Sequence, residues 1–259
     1  MQLNAAAGLS DGVYQALIAV QPTGVSPQSI TVPVTFVVGA SNDLSVNQAS
    51  NAASYANVYA PGMALAVFGT NLAPATETYS FFPLPLTMQG VSATVNGVAA
   101  PLYYVSPTQI TLQIPYETTL GAAVLGINNN GKVTSFSFPV TVAGPGIFAD
   151  VTGALAPVST GLQGQVAFAY ITGDGVATPM LATGAAPYAL TQPILPVTLT
   201  VGGVPATINF IDTWAAGVTE IDFTIPAAVP TGPQPVVVTV GGVASPPVTL
   251  NVTALRVSE

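Results

Sequence analysis

The sequence predicts an all-β protein made of two tandem β-sandwiches preceded by a two-strand segment, and three observations predict it. A stretch from Val91 to Pro115, VSATVNGVAAPLYYVSPTQITLQIP, returns in recognisable form at 197–226, VTLTVGGVPATINFIDTWAAGVTEIDFTIP. Apolar and polar residues alternate in short runs, which is the period of a strand with one face buried. The 25 glycines and 24 prolines fall between those runs, as turn punctuation rather than as a collagen or linker repeat. About six or seven strands per copy, with turn signals every 8 to 12 residues or so, fit a sandwich. A single closed barrel is the competing arrangement. The duplication argues against it, because each copy carries its own set of inward-facing residues.

In chain order, Ala7 to Val38 reads as two strands. One runs from Gly12 to about Val20 and the other from Ile30 to Val38, with Ile30, Val32, Val34, Phe36 and Val38 on one face. Pro22, Gly24 and Pro27 mark the loop between them. Two strands are too few for an independent domain. They are expected either to dock on the body or to complete the sheet of a neighbouring molecule, since an edge strand is a template for strand addition. Ser41 to Tyr59 is polar, rich in small residues and without clear periodicity, which makes it the expected connector. The boundaries drawn are 1–40 for the strand pair, 41–145 for the first sandwich and 146–259 for the second.

Each copy then opens with a short strand, MALAVFGTN in the first and QVAFAYITGDG in the second, followed by a loop rich in proline and alanine. In the duplicated core, Ile110, Leu112 and Ile114 share one face, as do Ile221, Phe223 and Ile225. Gln109, Thr111 and Gln113 take the other face, matched by Glu220, Asp222 and Thr224. Asn96-Gly97, Gly202-Gly203, Asn130-Gly131 and Gly241-Gly242 supply the positive φ that tight hairpins need. Two further strands close each copy, over 122–127 and 133–142, and over 234–240 and 243–252. The short segment Ala143 to Phe148 between the copies predicts limited relative motion.

Composition removes several function classes. Only Lys132 and Arg256 are basic against ten acidic residues, a net charge of −8, so nothing neutralises the phosphates of a nucleic acid. No apolar run reaches the roughly 18 residues of a membrane span, so membrane insertion is not expected. With no Cys and no His, zinc sites, thiol catalysis and a histidine base are absent, and no cofactor is expected. The scarcity of Lys and Arg gives trypsin-like proteases few cleavage sites, which suits an extracellular or cell-surface protein. MQLNAAAGLSDGVYQ lacks the charged start and apolar run of a signal peptide, so an export signal is expected to lie elsewhere or to have been removed.

Several motifs together resemble a known family. They are Asn51-Ala-Ala-Ser-Tyr55, Ala60-Pro-Gly62, Phe68-Gly-Thr-Asn-Leu72, Val95-Asn-Gly-Val98, Tyr104-Val-Ser-Pro-Thr-Gln-Ile110, Gln113-Ile-Pro-Tyr116, Pro145-Gly-Ile-Phe148 and the run from Gln234 to Val243. They are similar to the uncharacterised C-terminal domain family of Solibacter-type secreted proteins, over about 51–252. Each half is similar to the IPT/TIG class of immunoglobulin-like folds. GLSDGVY near the N-terminus resembles the closing part of bacterial immunoglobulin-like repeats. The resemblance implies tandem immunoglobulin-like domains at the end of exported proteins, with no established activity.

Candidate sites are few. Glu220 and Asp222, about 7 Å apart along one strand, have the spacing of an inverting glycosidase pair. Their counterparts Gln109 and Thr111 suggest an ordinary solvated face, and an open sheet offers little burial to raise a pKa, so no enzyme is expected. Asp212 with Glu220 and Asp222 could supply oxygens to Ca2+, although their spacing matches no calcium loop. Asp174, flanked by glycines, reads as a turn residue bonding locally. Trp214, with Tyr103, Tyr104, Tyr79, Phe81 and Phe82, could form a sugar-stacking platform, the alternative being core or interdomain filling. Asn251-Val-Thr253 fits a glycosylation acceptor. The function expected is non-catalytic and structural: a surface protein, a subunit of a fibre, self-associating through the Ile30 to Val38 strand. The alternative is a glycan-binding or cell-surface anchoring module contacting its ligand through Trp214, Glu220 and Asp222.

Overall fold

The computed structural model describes residues 44–254 in full and, before them, the backbone of two strands, 12–20 and 30–38. The chain divides into two compact units, Met1–Asp43 and Leu44–Glu259. In the first unit β1 (Gly12–Val20) pairs with β2 (Ile30–Val38) antiparallel, in unbroken register from Gly12 opposite Val38 to Val20 opposite Ile30. One edge of β2 is therefore already taken. The side chains of Ile30, Val32, Val34, Phe36 and Val38 lie outside the described residues.

The second unit holds two sandwiches. The first is built from β3 (Ser45–Asn51), β4 (Ala64–Thr70), β5 (Glu77–Thr78), β6 (Val91–Val95), β7 (Val98–Ala100), β8 (Leu102–Val105), β9 (Gln109–Gln113), β10 (Gly121–Asn129) and β11 (Lys132–Val140). One sheet runs β3-β4-β9-β8-β5 and the other β11-β10-β6-β7. Leu65, Val67, Ile110 and Leu112 from the first sheet meet Val91, Val95, Leu125, Ile127 and Phe138 from the second in one buried core.

The second sandwich uses β12 (Gly146–Ile147), β13 (Thr160–Leu162), β14 (Val166–Thr172), β15 (Ala177–Thr178), β16 (Gln192–Pro193), β17 (Val197–Val201), β18 (Val204–Ala215), β19 (Val218–Thr224), β20 (Gly232–Val240), β21 (Val243–Ala244) and β22 (Val248–Thr253). Its strands follow β12-β14-β19-β18-β17-β20-β22-β13, with β21 beside β20 and β15-β16 as a separate ribbon. Ala169, Ile171, Ile221 and Phe223 face Leu199, Val201, Val236, Val238 and Leu250 across its core. Order for order, β3-β4-β9-β8 repeats as β12-β14-β19-β18, and β11-β10-β6-β7 as β22-β20-β17-β18. No helix is present among the described residues, and the architecture is all-β: two tandem immunoglobulin-like sandwiches.

The copies agree down to a bulge. The register slips between Leu102 and Tyr104 in β8 and between Ile208 and Phe210 in β18, so Tyr103 and Asn209 are matching extra residues. They differ where chemistry demands it. Pro101, which has no N–H for a ladder, separates β7 from β8, whereas its counterpart Thr207 pairs with Thr224 and lets β18 run on from one sheet into the other. All four expected hairpin turns take positive φ at both central residues.

Two expectations need correction. The connector expected over Ser41 to Tyr59 contains a strand, because Ser45–Asn51 pairs with Thr70–Leu65 and buries the small side chains of Ala49, Ser50 and Asn51. The closing strand expected over 243–252 is broken, because Pro246 and Pro247 interrupt it between β21 and β22.

Candidate functional site

The side of β14-β19-β18 turned away from the core carries four aromatic side chains, of which Phe210 and Trp214 are exposed. Alternation sends Ala167, Ala169 and Ile171 inward, leaving Phe168 and Tyr170 outward on β14. On β19 the same rule leaves Glu220 and Asp222 outward, and on β18 it leaves Phe210 and Asp212. Cross-strand pairing arranges them in rows. Tyr170 stands opposite Glu220 and Glu220 opposite Asp212; Phe168 stands opposite Asp222 and Asp222 opposite Phe210. Trp214 sits at a second slip in β18, between Thr213 and Ala215, and is 60% exposed. Its ring lies 5.4 Å from that of Tyr170, which in turn is 5.9 Å from Phe168, edge to face.

Charge on this face is of one sign. Burial, then the charges of Asp222 and Asp212, raises the Glu220 carboxyl above its usual range. Burial, then Glu220 and Asp222, raises the Tyr170 phenol. Glu220 is half-buried between Tyr170 on β14 and Asp212 on β18. Asp212 is held by the backbone N–H of Thr191, which donates to Oδ1 at 2.7 Å. The three acids share a face without forming a cation cage: among the described residues no three such groups are placed to hold a metal ion.

No family model matches the sequence, and no curated protein matches it. Among solved structures, the chain is similar to SGBP-B of the Bacteroides ovatus mixed-linkage glucan utilization locus, seen in complex with a mixed-linkage heptasaccharide. The two are 14% identical, over 95% of this chain and 54% of that one, with a TM-score of 0.39. This chain therefore spans about half of that protein's length. It is also similar to invasin, a bacterial integrin-binding protein (19% identity, 83% of this chain, 40% of that one, TM-score 0.26). Domains 5–6 of the S-layer protein SbsC give 14% identity, 83% of this chain, all of that one and a TM-score of 0.28. Likenesses of this size concern the β-sandwich architecture and nothing finer.

The other aromatic candidates do not join Trp214. Tyr79 packs on the first core and meets Phe81 at 5.9 Å, while Phe82 meets Tyr103 at 6.4 Å. Tyr103 belongs to the junction between the sandwiches, where its hydroxyl donates to the Ala216 carbonyl at 2.6 Å. That junction also takes Asp174, expected as a local turn residue. Asp174 is buried, accepts a 2.7 Å bond from the Thr219 hydroxyl, and has its carboxyl pushed up to about 6 by burial. The phenol of Tyr116 is raised by burial first and then by the Asp174 and Tyr103 groups. Phe168, Tyr170 and Phe210 were absent from the sequence-level candidates. The signal that could have found them was alternation in β14 carried across to its partner strand, with aromatics at the positions facing Glu220 and Asp222.

Equivalent faces of the two copies thus have different fates. On the first copy Ala64, Ala66 and Gln113 are buried, and Thr172 accepts the Ala64 N–H at 2.8 Å through its hydroxyl. Gln113 accepts the Gly184 N–H at 2.7 Å and donates to the Gly62 carbonyl at 3.1 Å. One copy spends part of this face on docking. The other leaves it to solvent.

Proposed function

We propose that this chain is a non-catalytic, extracellular glycan-binding module whose ligand face is the outer side of β14-β19-β18. The observation that carries this reading is the exposed Trp214 ring beside Tyr170, on the same open sheet face as the carboxylates of Asp212, Glu220 and Asp222. Aromatic rings take the C–H faces of sugars, and carboxylates accept bonds from their hydroxyls. Placement outside the cell is supported by the resemblance of its motifs to those of Solibacter-type secreted proteins and by the near absence of Lys and Arg. Titration calorimetry against a panel of soluble glycans, followed by Trp214→Ala, tests the reading. The substitution is expected to weaken binding by about tenfold or more, roughly 1.4 kcal/mol, with the melting temperature unchanged. Equal affinity in the variant would move the site elsewhere.

A second reading, self-association by strand addition into a surface fibre, is favoured by the β1-β2 ladder, in which, among the described residues, each nine-residue strand pairs only with the other. Removing residues 1–40 is expected to abolish any assemblies seen by electron microscopy of the native material. Assemblies that survive the truncation would rule it out.

A further inference from the structure

The aromatic face of the second sandwich has a charge problem that a neutral ligand leaves unsolved. Phe168, Tyr170, Phe210 and Trp214 border three carboxylates, Asp212, Glu220 and Asp222, and no basic side chain of the described residues shares the face. Lys132 lies on β11 of the other sandwich. Asp212 and Glu220 are directly opposed, with Cβ atoms about 5 Å apart, and Asp222 follows Glu220 at about 7 Å along the strand. Asp212 receives one backbone N–H, whereas no protein donor among the described residues reaches the carboxylate of Glu220 or Asp222. The free face therefore presents carboxylates of like charge, open to a ligand's donors, beside aromatic rings.

Each of those features favours a cation. Carboxylates accept the three donors of an ammonium in charge-assisted bonds, and the faces of Trp and Tyr attract the same charge. A polyanion meets repulsion, and an uncharged sugar leaves the crowding of carboxylates as it was. The aromatic rings at the same time ask for an apolar flank that a bare amine or a metal ion lacks. Resting on the glycan reading above, we propose that the ligand is an amine-bearing glycan, a polymer containing unacetylated amino sugars, with its rings on Trp214 and Tyr170 and an ammonium among Asp212, Glu220 and Asp222.

The test is calorimetry of the full chain at about pH 6, where a sugar amine is an ammonium. Four probes of matched length suffice: a glucosamine oligomer, its N-acetylated form, a cello-oligosaccharide and oligolysine. The glucosamine oligomer is expected to bind at least about tenfold more tightly than either neutral sugar, and to weaken with added salt because the attraction is screened. In the Glu220→Gln, Asp222→Asn double variant, which keeps amide oxygens as acceptors for sugar hydroxyls but removes two negative charges, that preference is expected to vanish, the glucosamine oligomer losing far more affinity than either neutral sugar. A neutral sugar binding as tightly as the glucosamine oligomer overturns the amine assignment and leaves the glycan reading intact. Oligolysine matching the glucosamine oligomer, with Trp214→Ala without effect, overturns both, as does the absence of binding by all four.

Discussion

At the scale of the residue, Asp174 shows how one buried carboxyl ties stability to pH. It lies out of solvent at the junction of the sandwiches, with the Thr219 hydroxyl donating to it at 2.7 Å and burial pushing its pKa from 3.8 up to about 6. The folded state therefore binds this proton more tightly than the unfolded one does. Stability contributed by the neutral form is fully present below the unfolded value, is lost as pH rises through the folded value, and is missing above it. A shift of this size corresponds to roughly 3 kcal/mol. Thermal melts between about pH 4 and 7 should show the melting temperature falling through that window. Asp174→Asn keeps an oxygen for Thr219 and has no charge to bury, so its melting temperature should exceed that of the unsubstituted protein at neutral pH, and much of the slope should disappear. A variant that melts lower at neutral pH, with the slope intact, would show that the carboxylate is stabilised where it stands.

At the scale of the element, what could be read in the sequence was whatever is encoded within a dozen residues. Alternation at 109–113 and 218–224 announces β9 and β19 and their inward residues, and the Asn-Gly and Gly-Gly pairs announce their turns. Gln113, expected on the wet face, is nevertheless buried, because Gly184 of the second sandwich docks on it. β3 escaped because Ser45–Asn51 is polar and small, with no period of its own. It is a strand because β4 supplies partners and because Asn51, fully buried, donates to the Gly144 carbonyl at 2.9 Å. That contact joins residues 93 apart, and no local pattern carries it. The candidate face was half legible for the same reason. Glu220 and Asp222 declare themselves by alternation within β19, but Tyr170 becomes their neighbour only through the register of β14 on β19. The extended hairpin is a third case. Only 106–108 separates Val105 from Gln109, whereas 212–219 separates Ile211 from Glu220. In sequence the extra length looks like a loop insertion. In the fold it continues β18, places Trp214 on the open face, and carries Ala216 and Gly217 to the first sandwich.

At the scale of the molecule, that hairpin tip predicts how the two sandwiches unfold. Thr172 donates to the Gly217 carbonyl while accepting the Ala64 N–H, and Tyr103 donates to the neighbouring Ala216 carbonyl, so one tip fastens residues from both sandwiches through buried polar groups. Such groups are costly to leave without partners, about 1–3 kcal/mol each, so the sandwiches should unfold together in a single calorimetric transition. Gly217 is the place to break the coupling. It has a φ of +75°, and a Cβ there would come within 2.4 Å of the Gly62 carbonyl oxygen. Gly203 is the matched control, since its φ is +78° and a Cβ would meet nothing within 4 Å. Gly203→Ala should cost only the left-handed backbone penalty, about 1–2 kcal/mol, and leave one transition. Gly217→Ala incurs that penalty and must also push backbone from backbone, adding about 1–3 kcal/mol. Because the added strain falls on the junction rather than on either core, the endotherm of Gly217→Ala should broaden or divide in two. If both variants lose the same stability and keep one sharp transition, the tip is not what couples the sandwiches, and cooperativity must reside in the Asn51 and Gln113 contacts instead.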